Sequence, residues 1–164
     1  MISKFFLVGI CFSILTIAVS AQDKTIILVR HAEKADATSQ DPELSAEGKQ
    51  RAERLVKAAG KYRPGAFHST NYKRTRDTIT PLATKRGKQV ETYDARNPKA
   101  LVDAIMKSRV KRHIVAGHSN TIPGLANLIA KKDVFKNLDE SEYGVVWVIR
   151  IKNGKVRKTE VIPY

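Results

Sequence analysis

The sequence predicts a three-layer α/β domain, with a mostly parallel sheet, helices on both faces and a C-terminal β-hairpin at its edge. Three observations lead there. Apolar runs such as IILV (26–29) and IVAG (114–117) suit strands covered on both faces. Amphipathic segments of helical length separate such runs, so strand and helix alternate from Lys24 onward. Asn153-Gly154 stands between two β-rich runs, and this dipeptide favours a two-residue hairpin turn.

TIILVR (25–30) reads as the first strand, followed by a polar loop, HAEKADATSQDPE. LSAEGKQRAERLVKAAGKY (44–62) reads as a helix, with Ser45 as its cap and Ala46, Leu55, Val56 and Ala59 as its apolar stripe. GAFHS (65–69) is a short strand segment. NYKRTRDTITPLATKRG (71–87) is helical with a stop near Gly87, and Pro81 is expected to kink or break it. QVETYD (89–94) follows as a strand, PKALVDAIMKSR (98–109) as a helix and HIVAGH (113–118) as another buried strand. NTIPGLANLIA (120–130) is a helix whose Pro123 falls in the first turn, where proline is tolerated. YGVVWVIRIKNGKVRKTEVIPY closes the chain as the hairpin. There is no internal repeat, low-complexity tract or long linker, and 164 residues suit one domain.

The first 21 residues are set apart as a secretory signal peptide, leaving 22–164 as the folded domain. A lysine precedes an apolar run from Phe5 to Val19, and Ser20 and Ala21 provide a small-residue exit. That run is short for a membrane span, so cleavage after Ala21 and a secreted or periplasmic location are expected, with no stable membrane insertion afterwards. The only cysteine, Cys11, leaves with this segment, which excludes disulfides and thiolate chemistry from the remainder. Net charge is +14, an excess that favours anionic partners without choosing among them. Aromatic residues do not interleave with the lysines, so nucleic acid recognition gains no support.

Ligands of open α/β sheets bind beyond the carboxyl ends of the strands. That rule gathers scattered residues at one rim: Arg30 and His31 after the first strand, Ser69 and Arg74 after the second, Asp94 after the third, and His118 after the fourth. Singly, each has an ordinary explanation as a loop histidine, a helix-surface arginine or a surface carboxylate; their convergence is the signal. His113 begins a strand at the opposite rim and reads as structural, while His68 lies near the rim as a peripheral residue. Arginine forks match phosphate oxygens. A neutral imidazole is a nucleophile toward phosphorus without a metal, and nearby guanidinium groups disfavour its protonation.

LVRHAEK, LSAEGKQRAERL, STNYKRTRDT and VAGHSNT, in that order, resemble the histidine phosphatase superfamily, the phosphoglycerate-mutase-like group, in its small single-domain form. Ala32 stands where the family often has glycine. The resemblance implies that His31 is the nucleophile and forms a phosphohistidine, and that Arg30, Arg74 and His118 bind the phosphoryl oxygens. Asn120 and the N-terminus of the last helix would add to that anion site. Asp94 matches the place of the general acid best, with Glu91 next, although some small members have a weak equivalent or none. No cofactor and no metal are implied, and the expected partner is a phosphorylated small-molecule or envelope substrate. The interval between the Arg-His pair and Arg74 holds only a loop and one helix, so an open, shallow site is expected rather than a covered one. The reading is thus an exported, metal-independent phosphatase acting on phosphate monoesters or phosphohistidine. The alternatives are a non-catalytic phosphate- or polyanion-binding module and a metallohydrolase using His31, His118 and Asp94.

Overall fold

The computed structural model describes residues 22–36 and 38–164, so the expected signal peptide lies outside the described residues. Six strands form one sheet in the order β3-β2-β4-β1-β5-β6. β1 (Lys24–Arg30), β2 (Ala66–Ser69), β3 (Val90–Thr92) and β4 (Arg112–Gly117) are parallel. β5 (Val145–Lys152) pairs antiparallel with β1, and β6 (Lys155–Pro163) returns beside β5 through the Asn153-Gly154 turn. The hairpin therefore supplies one edge of the sheet. Gly154 and Asn153 both have positive φ, as such a turn requires.

Alternating side chains of β1 make the two apolar layers. Ile26 and Leu28 point into a cluster with α3 (Pro98–Lys107) and α4 (Thr121–Ala130), together with Trp147 and Ile149. Ile27 and Val29 point the other way, to Leu55 and Ala59 of α1 (Ala46–Gly60) and Ile79 and Leu82 of α2 (Lys73–Lys85). A strand buried on both faces cannot alternate polar with apolar residues, which explains the unbroken IILV run.

Two expectations change. Of the kink or break expected at Pro81, the break does not occur, because α2 continues through that residue. Buried Thr78, Ile79, Leu82 and Ala83 flank that residue, so packing on the sheet holds the helix despite one lost backbone bond. The strand expected over 89–94 shortens to three residues, because this edge strand has a partner on one side only, the three residues Phe67–Ser69.

Candidate active site

The adjacent strands β1 and β4 set the geometry. Arg30 is the last residue of β1 and pairs with Gly117, the last of β4, so His31 and His118 leave neighbouring strands at the same level. Their rings stand edge to face with centroids 5.4 Å apart. A side chain at Gly117 would meet Thr121 Oγ1 at 2.7 Å, so glycine lets the turn into α4 fold closely and brings His118 back over the rim. The His118 backbone N–H then donates to Thr121 Oγ1 at 2.8 Å.

The loop after β1 is held by the start of α1. Ser45 caps that helix through Gly48 N–H, while its own N–H donates to the Glu33 carbonyl at 2.9 Å. A Cβ at Gly48 would lie 2.3 Å from that carbonyl oxygen, so only glycine permits the approach. Glu33 accepts a forked pair of hydrogen bonds from Arg51, and Ala32 N–H donates to Thr78 Oγ1 on α2. The LSAEG segment therefore clamps the His31 loop.

His31 is buried, and its Nδ1 lies 2.8 Å from the Ala32 carbonyl oxygen. A carbonyl only accepts, so Nδ1 carries the proton and the neutral ring keeps its lone pair on Nε2. Burial, then the charges of His118, Arg74 and Arg30, draw the His31 pKa down to about 4, against the opposing pull of the Ala32 carbonyl. His118 is also lowered to about 4, by burial and then by Arg74 and Arg30, with Glu140 opposing. Thr70 Oγ1, at the end of β2, holds His118 Nε2 at 3.0 Å. Both imidazoles are therefore neutral at neutral pH.

Arg74, in the first turn of α2, stacks over Tyr72 at 4.4 Å, and the Tyr72 ring meets His118 edge on. Its Nη1 donates to the Gln40 carbonyl, whereas its buried Nε has no acceptor. Arg30 is engaged differently. Nη1 donates to the carbonyls of Asp139 and Glu142, and Nη2 to the carbonyl and Oε2 of Glu140. Only its Nε is left without a partner, so the expected Arg30 fork is spent on the loop before β5. A buried guanidinium N–H without an acceptor is costly, and two such groups beside His31 suit an anion.

The expected acid residues lie elsewhere. Asp94 follows β3, which is three strand positions from β1, about 14 Å at ordinary strand spacing. It is exposed, and its carboxylate accepts from Arg96 N and Nε, which hold its pKa low. Glu91 faces His68 at 3.6 Å. Neither makes an ion pair or hydrogen bond with His31, Arg74 or His118 among the described residues. This geometry also separates Asp94 from the two histidines that a three-ligand metal site would need. Asn120 is exposed at the N-cap of α4 and makes no side-chain cap bond. His68 turns to His113, with Nε2 to Nδ1 at 3.1 Å, and pairs with that buried histidine rather than joining the site.

The carboxylate that does reach the cluster is Glu140, bonded to Arg30 and to Ser119 Oγ at 2.6 Å. The Ser119 hydrogen bond and then Arg30 keep its pKa low although it lies over the cluster, so this exposed carboxylate is ionised at neutral pH and holds no proton to give. Tyr143 packs against Arg30, with the guanidinium 4.2 Å from its ring, and lies 6.2 Å from His31. These residues were missed in the sequence because DESEYG resembles any polar loop. A signal did exist: a strand antiparallel to β1 must start where β1 ends, which places its preceding loop over the rim.

Residues 26–97 match the model of the histidine phosphatase superfamily (branch 1). No curated protein matches the chain by sequence. Among solved structures, the fold is similar to a mycobacterial glucosyl-3-phosphoglycerate phosphatase at 11% identity and TM-score 0.69, covering 87% of this chain and 99% of that one. It is also similar to a protein assigned as the phosphohistidine phosphatase SixA from Agrobacterium tumefaciens, at 20% identity and TM-score 0.65, covering 86% and 99%. A third, assigned as an α-ribazole-5′-phosphate phosphatase from Escherichia coli, has 10% identity and TM-score 0.68 over 86% and 96%.

Proposed function

We propose that this chain of the histidine phosphatase superfamily is an exported, metal-independent phosphatase that works through a phosphohistidine on His31. The observation that carries the reading is the single hydrogen bond from His31 Nδ1 to the Ala32 carbonyl, which leaves the Nε2 lone pair available in a ring that stays unprotonated down to about pH 4. In the reaction, Nε2 attacks phosphorus in line and the bond to the leaving atom breaks. Arg74 and Arg30 Nε balance the charge on the equatorial oxygens, with the neutral His118 as a hydrogen-bonding neighbour. Water then attacks the phosphohistidine, releasing phosphate and restoring the imidazole.

The protonation step narrows the substrate class. Asp94 and Glu91 are occupied elsewhere, and Glu140 is held ionised. Leaving groups that depart without a carboxylic acid are favoured, which means acyl phosphates, phosphoramidates such as phosphohistidine, and aryl phosphates ahead of alkyl esters. Export rests on the leader-like residues 1–21 and on a remainder free of cysteine.

The test is a panel of these four classes of phosphoryl donor in chelator-containing buffer, with His31→Ala as control. Enzyme quenched in alkaline detergent is assayed for bound radiolabelled phosphate that survives alkali and is lost on acid treatment. The expected result is label on the wild type only and turnover fastest for the better leaving groups. Turnover by His31→Ala, or a requirement for added metal, contradicts the mechanism. Binding of phosphate with no turnover of any donor identifies a non-catalytic module.

A further inference from the structure

Unpaired cations crowd the rim of the sheet opposite the catalytic cluster. The parallel strands all begin, and the four helices all end, at the rim opposite His31. Lys57, Lys85 and Lys107 occupy the last turns of α1, α2 and α3, which by itself reflects the helix dipole. The cations between and beyond the helices exceed that need. One groove at the start of β1 and β4 is lined by Lys111, Arg112, Lys152 and Arg157. A second groove, between the end of α4 and the hairpin, is lined by Lys131, Lys132, Lys155 and again Arg157. The shared arginine makes the two grooves adjoin.

None of these seven cations forms an ion pair among the described residues; only the neighbouring Arg150 and Lys158 do so, both with Glu160. The acids of this rim are already occupied, Asp23 by the Asn153 N–H and Asp133 by the Asn127 amide. Val134, 61% exposed, stands beside Lys131 and Lys132 in the second groove. The first groove also contains Asp23 and Lys24, where the chain from the apolar Phe5–Val19 segment joins the fold. The cationic rim and the attachment point of the most apolar stretch of the sequence therefore coincide.

We propose that this rim is a docking surface for an anionic phospholipid bilayer, holding the domain against the membrane with the catalytic rim turned away. Clustered cations adsorb to acidic headgroups within a Debye length, each contributing roughly fivefold in partitioning. Val134 adds an apolar contact at headgroup depth. While the N-terminal segment is attached it tethers the same rim, and after its removal electrostatic adhesion retains the domain. The grooves offer one half-buried aromatic, Phe135, and no series of stacking platforms, which favours lipid over single-stranded nucleic acid.

The chain from Gln22 onward contains every strand, helix and core cluster of the described residues and is the protein to test. It is sedimented with vesicles of phosphatidylcholine alone, or of equal parts phosphatidylcholine and phosphatidylglycerol, at low and high salt. It is expected to pellet only with the anionic vesicles and only at low salt. A variant with Lys132→Glu, Lys155→Glu and Arg157→Glu should lose at least roughly a hundredfold in partitioning, with hydrolysis of a soluble aryl phosphate unchanged. A control with Lys49→Glu, Arg54→Glu and Lys99→Glu should keep its binding. Equal loss in the control, equal binding to neutral vesicles, or undiminished pelleting of the first variant overturns the proposal. Binding to DNA without binding to vesicles overturns it in favour of a nucleic acid partner. Aryl phosphate hydrolysis is read separately, so failure of lipid binding leaves the catalytic reading standing.

Discussion

Acid should destabilise this fold through its buried histidines before its carboxylates titrate, and His113 is the one to measure. It is 1% exposed, with Nε2 donating to the Val110 carbonyl at 2.9 Å and Nδ1 accepting from His68. Burial, then His68 and Lys24, lower its pKa from 6.5 to about 4, with the Val110 carbonyl opposing. The unfolded chain therefore binds this proton first as pH falls, so the stabilising contribution is complete above 6.5 and is lost between 6.5 and about 4. At about pH 5 the loss amounts to about 2 kcal/mol, and it approaches about 3 kcal/mol at the acid limit. Glu33 and Glu140 have pKa values below their ordinary 4.5, so they contribute little in this window.

The assay is urea unfolding followed by fluorescence of Trp147, the only tryptophan, which is buried in β5. Wild type is compared with His113→Leu at about pH 7.5 and about pH 5. In the variant the Val110 carbonyl still accepts from Lys24 Nζ, so no buried oxygen is orphaned. Its stability should be lower at both pH values, but its drop between them should be smaller than that of wild type by about 2 kcal/mol. An equal drop in the two proteins would refute the claim that His113 is held unprotonated by burial.

The clamp makes sharper demands on kinetics. Arg74→Ala should lower kcat/KM for an aryl phosphate by about a hundredfold to a thousandfold, and Arg74→Lys should recover only part of it, because an ammonium lacks the fork; full activity in Arg74→Ala would remove this arginine from the site. Glu140→Gln takes a negative charge from the anion site and should tighten inhibition by inorganic phosphate by about threefold to tenfold, while Asp94→Asn should change kcat by less than about twofold because Asp94 is occupied at the sheet edge. A large fall in kcat for Asp94→Asn would restore it as the acid.

Much of this was legible in the chain itself, for a local reason. A short β-branched run such as IILV suits a strand buried on both faces, and the residue that follows such a strand emerges at the sheet rim, so positions 30, 31 and 118 were readable from apolar runs a few residues long. Ser45 was likewise readable as the cap that opens a helix. Long-range packing decided the rest. Arg30 spends its fork on carbonyls more than a hundred residues away, and Glu140 enters the site only because β5 adds antiparallel to β1. Asp94 and His31 have equivalent positions along their own strands, yet sheet order places two strands between them. Hydrophobic periodicity specifies which face a strand buries but not which strand lies beside it, so neighbours were set only when the core closed.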